Sequence, residues 1–182
     1  MILYPTETVY ALGVHVFDTQ ALHTLYQIKG REVGKLPSWL VRTVADIERY
    51  AVLSSTAASI AERFLPGPLT LVLPLRDSYI HIDGTSIETI GFRITPDPVG
   101  QQLIADFMNE FQAPLTCTSA NRSGLPTKST VIEICAQFKE SAVLIDRIID
   151  DGPRSGVPST AVRVIGDTVE VIREGGISAE ML

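Results

Sequence analysis

Strand-like and helix-like segments alternate along this chain of 182 residues, and this alternation restricts its possible folds more than any other feature. Helices are predicted where apolar residues recur with helical spacing, and the clearest ones follow the N-cap candidates Asp18 and Asp97. Two short runs on either side of Gly166-Asp167 have the alternation of a β-hairpin. The pattern predicts an α/β domain with a mixed rather than a purely parallel sheet.

The predicted elements cover most of the chain. Helices are predicted at residues 19–28, 44–50, 56–64, 98–111 and 131–138. Strands are predicted at residues 1–4, 10–17, 39–41, 69–75, 89–94, 114–118, 142–145, 161–165 and 169–173.

Composition excludes several classes of protein. With 45% apolar and 20% charged residues, the chain resembles ordinary globular proteins, and its length suffices for one domain with a sizeable core. The net charge of −6 argues against a broadly basic nucleic-acid-binding surface. Cys117 and Cys135 do not require an oxidising compartment, and neither a membrane span nor a secretion signal is recognisable. We expect one cytoplasmic domain over residues 1–182 with no membrane contact.

The most informative motif is TCTSANRSGLP at residues 116–126. Ser119, Asn121, Ser123 and Gly124 lie within six positions, directly after an apolar run. Short hydroxyl and amide side chains at the end of a strand can hold an oxyanion together with backbone N–H groups. Taken alone, such a cluster is more often a plain loop.

Basic residues form a second candidate feature. Lys29, Arg31 and Lys35 lie within seven positions after a predicted helix, where they indicate either an anion site or a solvated loop. Arg93 and Arg173 each end a predicted strand, and an arginine there can reach phosphate or carboxylate with its planar fork. The alternative is a rim arginine paired with a neighbouring acid.

Hydroxyl side chains lie at two further breaks between strands. Thr6 and Thr8 flank Glu7 after a proline, and Ser159 and Thr160 open the C-terminal hairpin. Their default role is that of a turn or a cap.

Familiar nucleotide and catalytic motifs do not occur in this sequence. It contains no GxxxxGK[ST], GxGxxG or GxSxG. His15, His23 and His81 have no metal-ligand spacing with one another or with the cysteines, which favours structural histidines over a zinc site. A bound nucleotide would therefore be held without a P-loop, and no metal-ligating residues are predicted.

Seven short motifs nevertheless follow one another over nearly the whole chain. They are YPTETVYALG (4–13), KGREVGK (29–35), LPGPLTLVLP (65–74), TIGFRI (89–94), TSANRSG (118–124), PSTAV (158–162) and IREGGI (172–177). Together they closely resemble the YrdC family, the threonylcarbamoyl-adenylate synthases. The resemblance implies a twisted mixed β-sheet flanked by helices, with a concave basic ligand cleft.

The resemblance also implies an activity. Members of this family condense L-threonine, bicarbonate or CO2, and ATP to threonylcarbamoyl-AMP and pyrophosphate, with Mg²⁺ accompanying ATP. The product feeds the threonylcarbamoyladenosine modification of tRNA through a downstream transferase. Because the carbamate itself attacks the α-phosphate, this chemistry needs positioned cations rather than a protein nucleophile.

Site residues are implied position by position. L-Threonine contacts are expected at Thr8, Arg93, Ser119 and Ser159. Lys29 and Arg31 resemble the triphosphate clamp and are the expected catalytic residues. Further ATP contacts are expected at Lys35, Thr89, Asn121, Ser129 and Arg173.

Three departures from the family pattern leave alternatives open. Ala11 replaces a glycine that is common in the family, and Leu40 falls where some members carry a histidine that touches threonine. Family members usually have a helix and a longer strand before PTET, so we expect exposed apolar sheet surface and a less protected strand edge near Ile2 and Leu3. A second copy of the chain or another partner could cover that face. The alternative functions are a nucleotide- or RNA-binding protein of this fold with little synthase activity, and an accessory domain for carbamoyl transfer.

Overall fold

The fold was analysed in a computed structural model, which describes residues 1–32, 34–154 and 156–182. Within these ranges the strands are β1 (Ile2–Tyr4), β2 (Ala11–Gly13), β3 (Ser38–Leu40), β4 (Leu69–Ile80), β5 (Ser86–Arg93), β6 (Leu115–Ser119), β7 (Arg147–Ile148), β8 (Thr160–Ile165) and β9 (Thr168–Arg173). The helices are α1 (Thr19–Lys29), α2 (Val44–Tyr50), α3 (Ser55–Phe64), α4 (Pro98–Phe111) and α5 (Val131–Phe138). Short 3₁₀ segments follow at Lys139–Leu144 and Ala179–Met181.

The nine described strands form one mixed sheet in the order β7-β1-β2-β6-β3-β5-β4-β8-β9. Three neighbouring pairs are parallel, namely β1 with β7, β3 with β5 and β4 with β8. The remaining pairs are antiparallel, including the hairpin of β8 and β9. The prediction of a mixed sheet with a C-terminal hairpin is therefore confirmed.

Helices cover the sheet through two separate apolar clusters. One cluster contains residues of α2, α3 and α4, such as Ile47, Ile60 and Ile104. The other contains residues of α1 and α5, such as Leu25 and Ile134. Successive residues of β1 and β2 alternate between the clusters because side chains of a strand point to opposite faces.

Local sequence signals fix where the helices begin. The Asp18 carboxylate accepts a hydrogen bond from the Ala21 amide at 2.9 Å, and Asp97 accepts one from Gly100 at 2.9 Å. Thr43 and Thr130 form capping boxes at α2 and α5. Each cap satisfies backbone N–H groups that the first helical turn leaves unpaired. All five predicted helices are confirmed, with bounds that differ by at most one residue.

Two strand predictions need correction. The run predicted as a strand at residues 142–145 is mostly 3₁₀ helix, because Lys139 adopts a left-handed φ of 54° and the chain turns there. Ala142 and Leu144 still pack on the second cluster from this turn. The strand predicted at residues 10–17 is shortened to β2, with His15 forming only an isolated bridge to Leu115. Sequence reasoning missed β7 entirely.

The beginning of the chain is better covered than expected. Leu3 is fully buried, and β7 pairs with the side of β1 that β2 leaves open, so β1 is not an edge strand. Met1 and Ile2 line a large groove of about 700 Å³, whose walls include Leu103, Phe107 and Phe111. The expected exposure at Leu3 is therefore wrong, whereas an accessible apolar surface beside Ile2 is present.

Among the described residues, no helix is both long enough and apolar enough to cross a bilayer.

Candidate functional site

A polar cavity of about 130 Å³ brings together residues from distant parts of the chain. Its lining residues are Val9, Arg31, Leu36, Pro37, Ser38, Thr70, Arg93, Cys117, Thr118, Ser119, Pro158, Ser159 and Arg173. Five of them, Arg31, Arg93, Ser119, Ser159 and Arg173, were predicted from the sequence. The cavity therefore brings together residues as far apart in sequence as Val9 and Arg173.

One face of the central strands forms the cavity floor around Gly91. In the sheet register, Gly91 of β5 pairs with Val72 of β4, and the neighbouring Phe92 pairs with Trp39 of β3. A Cβ atom on Gly91 would lie 2.8 Å from Thr70 Cγ2 and 3.0 Å from Ser38 Oγ. Glycine at this position leaves the space in which these two hydroxyl side chains meet.

Arg93 lies at the end of β5 and is almost completely buried. Its Nη2 donates to a carboxylate oxygen of Glu7 and to Thr8 Oγ1, the latter at 3.2 Å. Its Nη1 contacts the Cys117 sulfur at 3.8 Å, and its buried Nε has no hydrogen-bond partner in the described structure. Burial alone would lower the pKa of Arg93, but nearby Cys117 and Glu7 raise it above its ordinary value. Arg93 thus remains a cation whose Nη1 and Nε hydrogens are open to a further acceptor.

Among the described residues, Arg31 donates only to neutral acceptors. Its Nη1 donates to Thr118 Oγ1 at 2.9 Å and its Nη2 to the Leu36 carbonyl at 3.0 Å, while its Nε is buried without a partner. Burial lowers its pKa from the ordinary value. A cation with this environment is stabilised by any anion that enters the cavity.

Lys29 is buried at the end of α1 and holds the TSAN segment, residues 118–121, through hydrogen bonds. Its Nζ donates to the carbonyls of Ser119 and Asn121, the latter at 2.9 Å. Burial, followed by the charge of Arg31, lowers the pKa of Lys29 to about 7. Ser119 Oγ in turn donates to Asn121 Oδ1 at 2.6 Å. Lys29, Ser119 and Asn121 therefore form one connected group, in which only Ser119 reaches the cavity.

Arg173 and Ser159 close the other side of the cavity. Arg173 Nη2 donates to the Ser159 carbonyl at 2.6 Å, and Ser159 Oγ shares a hydrogen bond with Thr70 Oγ1 at 2.8 Å. Burial, followed by the charge of Arg93, lowers the pKa of Arg173. In the described residues, no acidic side chain forms a salt bridge with Lys29, Arg31 or Arg173.

Five predicted ATP contacts lie outside the cavity lining, namely Lys29 and Asn121, described above, and Lys35, Thr89 and Ser129. Lys35 is exposed and pairs with Glu32 at 3.0 Å. Thr89 lies on β5 opposite Pro74, and the Ser129 carbonyl accepts a hydrogen bond from the Arg154 amide at 3.0 Å. Their role in nucleotide binding stays a prediction.

The two residues that depart from the family pattern are buried. Ala11 begins β2 beside Ser119 of β6, and Leu40 is packed in the first apolar cluster. Neither lines the cavity.

Sequence reasoning missed Ser38, Thr70 and Thr118 as cavity residues and Glu7 as the partner of Arg93. A signal existed for Thr70, which is a hydroxyl inside the otherwise apolar run LTLVL. Ser38 and Thr118 could be found only from the strand register, because their neighbours come from other strands.

The described residues do not supply a metal site. They contain no group of three or more histidine, cysteine, aspartate or glutamate side chains that could hold an ion. Glu7 is the carboxylate that contacts Arg93 at the cavity wall, and both of its oxygens already accept hydrogen bonds from Arg93 and Thr95. The described side chains therefore do not form a binding site for a protein-bound Mg²⁺ ion.

The fold and the cavity together define an α/β protein whose sheet carries a polar cavity lined by three arginines. Comparison with known proteins is more specific, because residues 1–175 match the Sua5/YciO/YrdC family model, described as telomere recombination. The chain belongs to this family. A relative from Methanocaldococcus jannaschii, provisionally named a threonylcarbamoyl-AMP synthase, is 34% identical over 183 residues, which cover all of this chain and 83% of the relative.

Solved structures agree with this assignment. The crystal structure of Pyrococcus abyssi Sua5 in complex with L-threonine has a TM-score of 0.85 and 28% identity, covering 99% of this chain and 52% of that one. Escherichia coli YciO has a TM-score of 0.83 and 25% identity, covering 98% of this chain and 84% of that one. The chain thus spans about half of the archaeal Sua5 and most of YciO.

Proposed function

We propose that this protein is an L-threonylcarbamoyladenylate synthase, a nucleotidyltransferase that acts in tRNA modification. The observation that supports this most directly is the charge balance of the site: Arg31, Arg93 and Arg173 line the cavity, Lys29 holds the carbonyl of its Ser119, and only Arg93 has a carboxylate partner among the described residues. Such a site favours more than one anion. The relatives named threonylcarbamoyl-AMP synthase and the L-threonine complex of Sua5 support the choice of ATP and threonine as those anions.

The two substrates would divide the cavity between them. L-Threonine is assigned to Thr8, Arg93, Ser119 and Ser159, where the remaining N–H groups of Arg93 would donate to its carboxylate. ATP is assigned to the cations that have no carboxylate partner, together with the remaining predicted contacts, namely Lys29, Arg31, Arg173, Asn121, Lys35, Thr89 and Ser129.

The reaction needs no covalent enzyme intermediate. The threonine amine and bicarbonate form a carbamate with loss of water, and a carbamate oxygen then attacks the α-phosphorus of ATP. The bond from the α-phosphorus to the bridging oxygen breaks, and pyrophosphate leaves with the electron pair. Lys29 and Arg31 stabilise the charge that develops on the leaving group, and Arg93 holds threonine in line for attack.

Mass spectrometry of a reaction with ATP, Mg²⁺, L-threonine and bicarbonate tests this proposal. We expect threonylcarbamoyl-AMP and an equal amount of pyrophosphate, and neither when threonine is left out. The Arg31→Ala variant is the matched control, and we expect it to form much less of both products. Salt-sensitive tRNA binding without any product would instead favour the nucleotide- or RNA-binding alternative.

Several finer assignments belong to the same proposal. Mg²⁺ would enter as a complex with ATP, and the product would pass to a threonylcarbamoyl transferase that acts on tRNA. We further propose that residues 1–182 act as one YrdC-like domain in the cytoplasm, and that a second copy of the chain is a partner.

A further inference from the structure

Glu7 is an acidic side chain at a site that otherwise collects cations, and the sequence analysis gave it no role. One of its carboxylate oxygens accepts a hydrogen bond from Arg93 Nη2, and the other accepts one from Thr95 Oγ1. Thr95 lies just after β5, so Glu7 links the loop between β1 and β2 to the end of β5. The carboxylate is only partly exposed, at 15% of its side-chain area.

This pairing makes Arg93 electrically different from the other two arginines of the cavity. The charge of Arg93 is balanced by Glu7, whereas Arg31 and Arg173 face only neutral acceptors in the described structure. An anion at Arg31 or Arg173 gains attraction from an unbalanced cation. An anion at Arg93 meets a cation and a carboxylate together.

Arg93 can still bind a substrate carboxylate under these conditions. Glu7 and Thr8 occupy the two hydrogens of Nη2, whereas Nη1 contacts only the weakly accepting Cys117 sulfur at 3.8 Å and Nε has no partner. A monoanion can use these remaining donors at modest electrostatic cost. A phosphate carries up to two charges, and its repulsion from Glu7 is correspondingly larger.

We propose that Glu7 is a specificity-determining residue that reserves Arg93 for a carboxylate and leaves phosphate groups to Arg31 and Arg173. The proposal rests on the function proposed above, since it assigns Arg93 to threonine and the other two arginines to ATP. It explains how one small cavity lined by three arginines can hold two different anions without exchanging them.

Competition between L-threonine and inorganic phosphate tests this role. In the wild-type protein, phosphate should weaken ATP binding in calorimetry and leave threonine binding unchanged. Glu7→Gln keeps a hydrogen-bond acceptor but removes the charge. In this variant phosphate should also displace threonine, and the affinity of phosphate for the site at Arg93 should rise at least about tenfold. Glu7→Asp, which restores the charge, should return towards the wild-type pattern.

Asp46→Asn provides a matched control. Asp46 is another buried acid paired with an arginine, Arg42, at 2.9 Å, but it does not line the cavity. We expect its competition pattern to equal that of the wild type. Thermal melting of each variant establishes that it is folded before binding is compared.

The outcomes separate the two proposals. Phosphate that displaces threonine from the wild-type protein would overturn the role of Glu7 even if Glu7→Gln fails to fold. A folded Glu7→Gln with wild-type competition would also overturn it, while leaving the synthase proposal intact. A wild-type protein that binds neither threonine nor ATP would overturn both.

Discussion

Individual basic side chains at the cavity and behind it differ in whether a carboxylate balances their charge. Arg93 has Glu7, whereas Lys29 and Arg31 donate to backbone carbonyls and a hydroxyl. A buried cation that lacks a carboxylate partner is destabilising until an anion arrives. The cost of holding these residues in place is therefore recovered on binding, which makes them the best positions for testing the site.

We expect Lys29→Ala and Arg31→Ala each to weaken ATP binding. Each removes a charge-assisted hydrogen bond worth about 1.5–3 kcal/mol, or roughly 10–150-fold in affinity. Titration calorimetry measures this directly. Arg163→Ala is the control, because Arg163 is an exposed residue of β8 paired with Glu170 at 2.7 Å. Wild-type ATP affinity in both cavity variants would contradict the assignment.

ATP affinity should also depend on pH through Lys29. Its pKa is lowered from 10.5 to about 7, so the free protein holds a neutral amine above that pH, whereas a phosphate favours the charged form. ATP binding must then take up a proton, and affinity should fall by up to about tenfold per pH unit above neutrality. Calorimetry in buffers of different ionisation enthalpy reports the uptake. An affinity that stays constant from neutral to mildly alkaline pH would refute this coupling.

The same lowered pKa has a consequence for stability. Between about pH 7 and 10.5 the unfolded chain binds more protons at Lys29 than the folded protein does. The free energy of unfolding should therefore rise with pH across this window, and Lys29→Met should remove that rise. Urea unfolding at several pH values measures it.

Substrate choice should depend on the carboxylate and methyl group of threonine. We expect serine to be a poor substrate rather than an excluded one, since one methyl group in an apolar pocket supplies about 1–3 kcal/mol. Threonine methyl ester should be used far less well, because it cannot pair with Arg93. Pyrophosphate release with the three compounds decides this. Equal use of the ester and the free acid would refute the role of Arg93.

At the scale of secondary-structure elements, Gly91 of β5 leaves room between Ser38 of β3 and Thr70 of β4, two side chains that line the cavity. Gly91→Ala would bring a methyl group to 2.8 Å from Thr70 Cγ2, and overpacking of this kind costs about 1–3 kcal/mol. We expect a lower melting temperature and weaker threonine binding. The double variant Gly91→Ala/Thr70→Ser removes the clashing methyl group and keeps the hydroxyl, so it should recover much of both. If the double variant recovers neither melting temperature nor threonine binding, the contact with Thr70 is not the cause of the loss.

The elements differ in how far the sequence could predict them. The helices were predicted well because caps such as Asp18 and Thr130 and the helical spacing of apolar residues are local signals. The run at residues 142–145 was misread because four apolar residues fit a strand or a tight turn equally well. The strand β7 has only two residues and exists because β1 offers an open side, which no local pattern records.

The site shows the same division between local and non-local information. Motifs identified Arg31, Arg93, Ser119, Ser159 and Arg173, all of which line the cavity. Their mutual contacts depend on strand order, which brings β5 beside β3 and β4 beside β8. The pairing of Glu7 with Arg93, 86 positions apart, could not be read from either motif alone.

At the scale of the whole molecule, the groove beside Ile2 is the largest accessible apolar feature described above. Exposed apolar surfaces of this kind mark interaction sites. Its rim carries both signs of charge, Asp106 and Glu110 on α4 and Arg147 on β7, so the acids of one copy can pair with the arginine of a second copy across a two-fold axis. We expect self-association that Phe111→Asp weakens without changing ATP binding. Light scattering over a range of concentrations measures it, and a strictly monomeric wild type would contradict it.

The position of β1 between β2 and β7 also has a consequence for synthesis on the ribosome. β1 pairs with β7, which begins only at Arg147. At about 5–20 residues per second, β1 waits on the order of ten seconds for that partner. The polar cavity waits longer still, because its lining extends from Val9 to Arg173. Nascent chains should therefore become protease-resistant and ATP-binding only after Arg173 has left the ribosome.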